Sequence, residues 1–261
     1  MARHKGRGWH GRLLAAALGV TAVAAATSVW SAQANPTGGQ QSSPPAVSVP
    51  DAPAQDRKVA EVAADIAHAS DAGPQGVNIT IDDGPDPVWT PQVLRLLKDG
   101  GTKATFCMVG TQAQAHPDLV KAVVADGHRL CNHTVSHDTT MDTKSEAYQS
   151  KQILDAERMI TKASGGVRPE YYRAPGGAFT PYSRELAASR GMRPLGWNVD
   201  SKDFERPGAD AMIATVKSEI PNGPTVLFHD AGGDRSQTVA ALREVLPWLR
   251  DQGYAFGFPV R

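Results

Sequence analysis

The sequence has only 2 cysteines, no excess charge of either sign and no internal repeat. Lys+Arg and Asp+Glu number 27 each, so the chain has no global attraction to polyanions, and we expect no nucleic-acid partner. The absence of self-similarity at a fixed period argues against a repeat architecture. After the N-terminal segment there is no apolar stretch of transmembrane length and no wall-anchoring motif.

The N-terminal segment, residues 1–34, has the organisation of a secretory signal peptide. Basic residues precede the apolar run LLAAALGVTAVAAA, and SAQA then places Ala32 and Ala34 at the small-residue spacing of a cleavage site. The apolar run of ~14 residues is short against the ~20 that span a bilayer, which argues against a membrane anchor. We therefore expect cleavage after Ala34, a secreted protein that is extracellular or associated with the cell wall, and no membrane partner after cleavage.

Residues 35–75 are rich in Pro, Ser, Gln, Gly and Ala, as in NPTGGQQSSPPAVSVPDAPAQD, and are predicted to form a linker. Within this segment, the spacing of apolar residues over 56–70 predicts a short helix. A single catalytic domain is expected over 76–261.

From residue 77 onward, short apolar runs alternate with longer amphipathic ones, which is typical of βα units around a parallel sheet. The helix candidates carry start and stop signals: TPQVLRLLKDGG begins with Thr90 before Pro91 and stops at Gly100. Seven predicted strands and six helices in ~185 residues favour one compact, incomplete (β/α)7 barrel, with a doubly wound open sheet as the alternative. The predicted strands are VNITI (77–81), KATFCMV (103–109), HRLCN (128–132), YYR (171–173), PLGWNV (194–199), TVLFH (225–229) and YAFGF (254–258).

The two cysteines are expected to form a disulfide if the protein is exported. Outside the cytoplasm an isolated pair is more often oxidised, and Cys107 with Cys131 is the only possible pairing. Both lie in consecutive predicted strands, which pair side by side in a parallel βα fold. The bond would close a loop of ~25 residues and stabilise the fold by about 3 kcal/mol in the chain-entropy model. Two buried free thiols are the alternative.

Polar side chains cluster where the predicted strands end. In parallel βα folds the carboxyl ends of the strands meet on one face, and catalytic groups lie there. We therefore expect these residues to share one site. They are Asp82 and Asp83 after the first strand, His133 after the third, Arg173 at the end of the fourth, Asp200 and Asp203 after the fifth, and His229 at the end of the sixth.

His133 and His137 are four residues apart, so one helical turn would place both imidazoles on the same side. The motif is not that of the zincins, because Thr134 stands where that motif has its catalytic Glu. The aspartates of TIDDGPDP favour a metal site, because two His and one Asp give a catalytic zinc three ligands and an open position. Adjacent residues leaving a strand point opposite ways, so either Asp82 or Asp83 can bind the metal while the other meets the reacting water.

Two more residues complete an acid–base set. Arg173 can pair with the spare aspartate and favour its ionised form; a surface ion pair is the alternative. His229 is expected on the same face, where Asp203 or Asp200 could orient its ring and keep it protonated, as a general acid requires. A buried core histidine is the alternative for His229.

Five short motifs together resemble those of the polysaccharide deacetylases, also called the NodB-homology or carbohydrate esterase family 4 domain. TIDDGPD, HTVSH, RAPGG, DSKDF and LFH occur in the family's order and at strand ends, across about residues 76–261. The resemblance implies a distorted (β/α) barrel of the NodB type. It also implies a divalent metal, commonly zinc, and removal of acetyl groups from N-acetylglucosamine polymers or acetylated xylan.

The resemblance assigns a role to each candidate residue. Asp82 is the expected general base, and Arg173 would hold it in place. Asp83, His133 and His137 are the expected ligands of one divalent metal ion, with zinc first and cobalt or other divalent ions as alternatives.

His229 resembles the general acid that protonates the leaving group, and Asp203 would tune the pKa of His229. The backbone N–H of Gly176 would stabilise the oxyanion. The residues expected to line the substrate pocket are Pro175, Phe204 and Leu227, the last against the acetyl methyl group.

Several positions depart from the commonest family pattern. Gly176 stands where many members have Tyr, Phe204 where Trp is common, and Ile81 where Phe is usual. Asp138 follows HTVSH where Pro is frequent. The expected metal ligands and the acid–base pair are all present, so the departures bear on substrate choice more than on catalysis.

The expected function is a secreted, monomeric, metal-dependent hydrolase of non-peptide carbon–nitrogen bonds. Its expected substrates are chitin oligomers, peptidoglycan or acetylated xylan, with acetyl esters as a further class. A non-catalytic secreted carbohydrate-binding module on the same barrel is the alternative. A phosphoester hydrolase is disfavoured, because no Lys/Arg cluster or Gly-rich phosphate loop lies near the motifs.

Overall fold

A computed structural model describes residues 61–261, in which parallel strands form one curled sheet surrounded by α-helices. Within this range the strands are β1 Gly76–Asp82, β2 Ala104–Met108, β3 Arg129–Asn132, β4 Tyr171–Tyr172, β5 Arg193–Pro194, β6 Val199–Asp200, β7 Thr225–His229 and β8 Ala255–Phe256. The helices are α1 Thr90–Asp99, α2 Gly110–Ala115, α3 Pro117–Ala125, α4 Glu146–Ala163, α5 Pro181–Ser189, α6 Ala209–Glu219 and α7 Ser236–Asp251.

The sheet has the order β5-β4-β3-β2-β1-β7-β6, and β8 pairs with the start of β1. The two edge strands, β5 and β6, follow each other in the chain and do not pair within the described sheet. A sheet that curls without closing its edges is an incomplete barrel, and every described strand pair is parallel. The predicted single-domain, incomplete βα barrel is confirmed.

Strand β1 lies at the centre of the sheet and is buried over its whole length. Side chains alternate along a strand. Val77, Ile79 and Ile81 therefore pack into the main apolar cluster with residues of α1 and α7. The other row, Asn78, Thr80 and Asp82, is polar and buried, and Asp82 at its end faces the carboxyl edge of the sheet. Thus the polar row of β1 leads directly to the candidate site.

The segment over 61–75 packs against the barrel and does not form the predicted helix in its described part. The N–H of Ala67 donates to the carbonyl of Pro194 over 2.8 Å, and Ala67 bridges to Leu195 in parallel. The segment can pair here because β5 is an edge strand, and the backbone groups on its outer side have no partner strand. The signal peptide and the linker up to residue 60 lie outside the described residues.

The predicted strand PLGWNV is divided in the structure into β5 and β6. Between them, the N–H of Gly196 donates to the carbonyl of Ala67. A Cβ on Gly196 would meet the side chains of Ile66 and His68, so a larger residue would require these two side chains to shift. The N-terminal segment therefore takes the place of a strand neighbour here.

Helix α2 was not predicted, because GTQAQA begins with glycine and has no apolar periodicity.

Cys107 and Cys131 are direct partners in the register of β2 and β3 and form a disulfide, with their Cα atoms 4.1 Å apart. Both are fully buried. The same register places Cys107 beside Asp82 of β1, while His133 follows β3 directly. The predicted disulfide is confirmed, and it joins two strands whose ends carry site residues.

Candidate active site

A cavity of about 350 Å³ opens at the carboxyl ends of the strands. It brings together most of the site residues predicted from sequence. It also includes Thr139, Ala174 and Trp197, which the sequence did not single out. The lining residues are Asp82, Asp83, His133, His137, Thr139, Arg173, Ala174, Gly176, Trp197, Asp200, Phe204, Leu227 and His229. Asp203 and Pro175 are buried just behind this lining.

Asp83 and the two histidines of HTVSH form a cluster suited to a metal ion. Asp83 follows the last residue of β1 and has a φ of 77°. Its Oδ1 lies 3.2 Å from Nε2 of His137 and 3.6 Å from Nε2 of His133. One ligand atom from each residue lies within 4.8 Å of the others. The three predicted ligands therefore converge on one point.

The HTVSH segment is a turn, so the predicted helical spacing of the histidines is wrong. Thr134 and His137 have φ values of 66° and 56°, which a helix does not contain. The side chain of Asn132 accepts the N–H of Thr134 at 2.9 Å. Gln152 of α4 accepts two further N–H groups of the turn through its Oε1. Asn132 and Gln152 thus shape the turn that carries both histidines, and the sequence analysis did not identify this role.

The protonation state of His133 suits a metal ligand. Its Nδ1 lies 2.8 Å from the carbonyl oxygen of Arg173, which can only accept, so Nδ1 carries the hydrogen. The lone pair is then on Nε2, the atom that faces Asp83. Burial lowers the pKa of His133 to about 3, so the ring stays neutral.

The donor set fits a divalent cation. Oδ1 of Asp83 is buried and has no hydrogen-bond partner in the part of the chain that the structure describes. Buried polar atoms are normally satisfied, and an unsatisfied carboxylate oxygen facing two imidazole nitrogens is a site that a cation would complete. Asp83, His133 and His137 are the residues that would hold it.

Asp82 is held by a buried guanidinium. Nη1 of Arg173 donates to Oδ1 of Asp82 at 2.7 Å, and both side chains are buried. Arg173 also donates to Thr80 and to the carbonyls of Leu195 and Gly196, so its position is fixed by four acceptors. Burial raises the pKa of Asp82 above its usual value, although the charge and hydrogen bond of Arg173 oppose that rise. The other oxygen, Oδ2, lies 3.6 Å from Nε2 of His133, next to the metal cluster.

His229 and Asp203 form a second buried pair across the cavity. Nδ1 of His229 donates to Oδ1 of Asp203 at 2.6 Å, and Oδ2 accepts the backbone N–H of His229 and the hydroxyl of Thr238. Burial disfavours the charged ring, but the bond and charge of Asp203, with the charges of Asp82 and Asp83, raise the pKa of His229 to about 9. The imidazole is therefore protonated at neutral pH, and its Nε2 is left to meet a substrate.

Of the two aspartates considered for His229, only Asp203 contacts it. Asp200 instead accepts from Nζ of Lys202 at 2.8 Å and lies at the cavity wall. Hydrogen bonds from His229 hold the pKa of Asp203 below its usual value, although burial alone would raise it. An ionised Asp203 beside a charged His229 is the arrangement that a proton donor needs.

The remaining pocket residues form the walls of the cavity. Gly176 has a φ of 60°, and a Cβ there would meet only Thr139, at 3.5 Å. Leu227 is buried, whereas Phe204 is 46% exposed with its ring centroid 5.8 Å from that of His229. An exposed aromatic ring beside polar groups is a surface on which a sugar ring can pack.

The sequence model of the polysaccharide deacetylase family matches residues 69–195. A peptidoglycan-N-acetylglucosamine deacetylase of Bacillus cereus is 40% identical over 182 residues, which cover 69% of this chain and 84% of that protein. The chain belongs to the polysaccharide deacetylase family. A chitooligosaccharide deacetylase of Sinorhizobium fredii is also similar to this chain. It is 35% identical over 195 residues, which cover 71% of this chain and 90% of that protein.

Solved structures of the polysaccharide deacetylase family have the same fold. A peptidoglycan N-acetylglucosamine deacetylase crystallised with a benzamide compound aligns with a TM-score of 0.69 at 30% identity, covering 74% of this chain and 90% of that one. A carbohydrate esterase family 4 pseudoenzyme from Bacillus anthracis also aligns with a TM-score of 0.69, at 26% identity, covering 76% of this chain and 68% of that one. The family fold therefore does not establish catalysis, which depends on the residues in the cavity.

Proposed function

We propose that this family member is a metal-dependent hydrolase that removes N-acetyl groups from glycans containing N-acetylglucosamine. One observation carries the proposal. The three ligand atoms of Asp83, His133 and His137 lie within 4.8 Å of one another, in the same cavity as the carboxylate of Asp82, held by Arg173, and the imidazole of His229, held by Asp203. Metal-assisted hydrolysis of an amide needs these three components in one cavity.

The proposed metal site is the Asp83, His133 and His137 cluster. When bound, a divalent ion would act as a Lewis acid on the acetyl carbonyl and lower the pKa of the reacting water. Zinc is our first choice, and cobalt or another divalent ion can replace it, because a His/His/Asp set accepts several such ions.

Asp82 is the proposed general base. It takes one proton from the reacting water, and the water oxygen forms a new bond to the acetyl carbon. Arg173 keeps the accepting carboxylate in place through the 2.7 Å hydrogen bond to Oδ1. Oδ2, on the side of the metal ligands, is free to receive the proton.

His229 is the proposed general acid. An amide nitrogen leaves only when it is protonated, so Nε2 of His229 gives its proton to the sugar nitrogen as the carbon–nitrogen bond breaks. The products are acetate and a free amine. The backbone N–H of Gly176 is the proposed donor to the oxyanion, while Pro175 and Leu227 would shape the acetyl pocket and Phe204 would support the sugar.

The proposed substrates are peptidoglycan or chitin oligomers, the glycans in the names of the relatives. Acetylated xylan does not occur in the names of these relatives and is not part of the proposal. Acetyl esters are a further proposed substrate class, because an ester oxygen leaves more easily than an amide nitrogen. Secretion, supported by the signal-peptide pattern of residues 1–34, and a monomeric state are also parts of the proposal.

Acetate release tests the proposal directly. The purified chain beginning at Asn35 would be stripped with a chelator, supplied with zinc or cobalt, and incubated with chitin oligomers, peptidoglycan and acetylated xylan. We expect metal-restored release from at least one of the first two glycans. The Asp83→Asn variant should not be restored by either metal.

Two other outcomes would contradict the proposal. No release from any glycan, with glycan binding intact, would favour the non-catalytic binding module. Release that survives complete metal removal would rule out the proposed role of the Asp83 cluster.

A further inference from the structure

Arg235 is a buried arginine behind the cavity, with a side chain that the acid–base scheme does not use. Only 3% of its surface is exposed, and it forms no ion pair within residues 61–261. It donates to three backbone carbonyls instead: Nε to Ala231 at 2.6 Å, Nη1 to Asp203 at 3.0 Å and Nη2 to Gly232 at 3.3 Å. A buried cation is costly unless its donors are satisfied, so this guanidinium fixes the positions of those carbonyls.

The three carbonyls belong to the two chain segments that carry the His229–Asp203 pair. Ala231 and Gly232 follow His229 as the chain leaves β7, and Asp203 is the residue whose carboxylate holds the ring. Arg235 therefore links the backbone of both segments.

The turn that carries Asp203 needs support from outside. Its flanking residues, Lys202 and Arg206, are not glycine, yet they have φ values of 59° and 56°. Such left-handed conformations are unfavourable for residues with a Cβ and persist where surrounding contacts impose them. The hydrogen bond from Arg235 to the carbonyl of Asp203 is one such contact.

Thr238 supports the same aspartate from the first turn of α7. Its hydroxyl donates to Oδ2 of Asp203 at 2.9 Å, and the side chain is 1% exposed. Oδ2 also accepts the N–H of His229, so Oδ1 remains for the imidazole. Arg235 thus fixes the backbone of Asp203, and Thr238 fixes its carboxylate.

Arg235 also lies next to the metal cluster. A Cβ on Gly232 would be 3.1 Å from Nη2 of Arg235 and 3.4 Å from Oδ2 of Asp83. Gly232 has a φ of 79° and passes closely between these two side chains. The loop held by Arg235 therefore reaches from the proton donor to the metal ligand.

We propose that Arg235 and Thr238 are positioning residues for proton donation. They hold Asp203 and the chain after His229 so that Nε2 of His229 meets the leaving nitrogen. This inference rests on the proposed deacetylase function. Substitution of Arg235 or Thr238 should therefore lower kcat only for substrates whose leaving group must be protonated.

The test compares an amide with an ester that needs no acid. Arg235→Gln and Thr238→Val would be assayed, zinc-loaded, on a chitin oligomer and on 4-nitrophenyl acetate, whose phenolate leaves unprotonated. We expect kcat on the amide to fall roughly tenfold or more, and kcat on the ester by less than about threefold, because general acid catalysis contributes only to the amide. KM and zinc content should not change.

Matched variants separate positioning from folding. Thr238→Ser keeps the hydroxyl and should keep the ratio of amide to ester activity. Arg235→Lys keeps the charge but has fewer hydrogen-bond donors, so its activity ratio should lie between those of the wild type and Arg235→Gln. Arg243→Gln, on the exposed side of α7, should match the wild type on both substrates.

Equal losses on amide and ester would show that Arg235 and Thr238 only support the fold, and this inference would be wrong. If Arg235→Gln does not fold, the Thr238→Val and Thr238→Ser pair decides the matter. A wild-type protein without amide activity would instead contradict the proposed function itself.

Discussion

Neighbouring aspartates at the end of β1 have different partners. Asp82 is paired with the Arg173 guanidinium, whereas Asp83 turns through a positive φ towards His133 and His137. The sequence predicted that the two carboxylates would separate, since side chains alternate on a strand. The structure shows which carboxylate faces which partner.

Exchanging each aspartate for asparagine should have distinct effects. Asp83→Asn should lose bound zinc, because a charged ligand is removed. Asp82→Asn should retain zinc while kcat falls by about 10²- to 10⁴-fold, the usual contribution of a general base. Zinc content per chain and acetate release measure the two effects, and zinc loss in Asp82→Asn would mean that the two roles are exchanged.

The pH dependence of amide hydrolysis should report His229. Its pKa is raised to about 9, so the acid form is lost and kcat falls as pH rises through that range. Asp203→Asn removes the hydrogen-bonded charge that raises this pKa, so the alkaline limb should move to lower pH. A bound metal ion would also lower the pKa of His229. The test is therefore the direction in which the alkaline limb moves between the wild type and Asp203→Asn. A limb that does not move would exclude Asp203 as the tuning residue.

Gly84 is required by a buried carboxyl group. A Cβ there would clash with Oδ1 of Asp230. Asp230 is fully buried, and its other oxygen, Oδ2, accepts the hydroxyl of Thr90 at 2.6 Å. Gly84→Ala should therefore lower the free energy of unfolding by about 1–3 kcal/mol, as overpacking does. Urea unfolding of Gly84→Ala, Asp230→Ala and the double variant provides the check. If the losses of unfolding free energy in the two single variants add up in the double variant, the two side chains do not contact each other.

Among the secondary-structure elements, the loops at strand ends depend on helices distant in sequence. Gln152 of α4 holds the HTVSH turn, and Thr238 of α7 holds Asp203. The N–H groups of Val135 and Ser136 depend on Gln152 as an external acceptor, whereas the N–H of His137 is accepted within the turn by the hydroxyl of Thr134 at 3.2 Å. The catalytic geometry thus depends on helix packing as well as on the strands.

The disulfide between β2 and β3 should contribute stability without contributing to catalysis. The Cys107→Ala/Cys131→Ala variant should lose about 3 kcal/mol of unfolding free energy, the chain-entropy value for a loop of this length. Neither cysteine lines the cavity, so kcat should change little. Urea unfolding of the variant and of the reduced wild type should agree. A large fall in kcat under conditions where the variant is fully folded would show that the disulfide also positions the site residues at the strand ends.

For the molecule as a whole, metal binding and folding should be coupled. The unsatisfied Asp83 oxygen and the neutral His133 ring form a site only in the folded chain, so zinc should stabilise it by about 2.7 kcal/mol at a hundredfold excess over Kd. Thermal unfolding with and without chelator measures this effect. Asp83→Asn should show no zinc-dependent Tm, and an equal zinc effect in that variant would place the ion elsewhere.

Within residues 61–261, no helix is long and apolar enough to cross a bilayer. The chain aligns with 84% of the length of the Bacillus cereus relative and 90% of the Sinorhizobium fredii relative. The export expectation depends on residues 1–34 alone and stays a prediction. N-terminal sequencing of the exported protein, expected to begin at Asn35, is the measurement that checks it.

Local sequence was sufficient to predict the βα barrel and most of the residues that meet at the carboxyl ends of its strands. Apolar runs and the polar residues that follow them are contiguous in the chain, and parallel strands always present their carboxyl ends together. The partners across the site were not predictable in this way. Asp203 instead of Asp200, Gln152, Arg235, Thr238 and the pairing of Ala67 with Leu195 all depend on contacts between distant segments. Hydrophobic periodicity specifies which face of an element is buried, but only the packed fold decides which distant side chain that face meets.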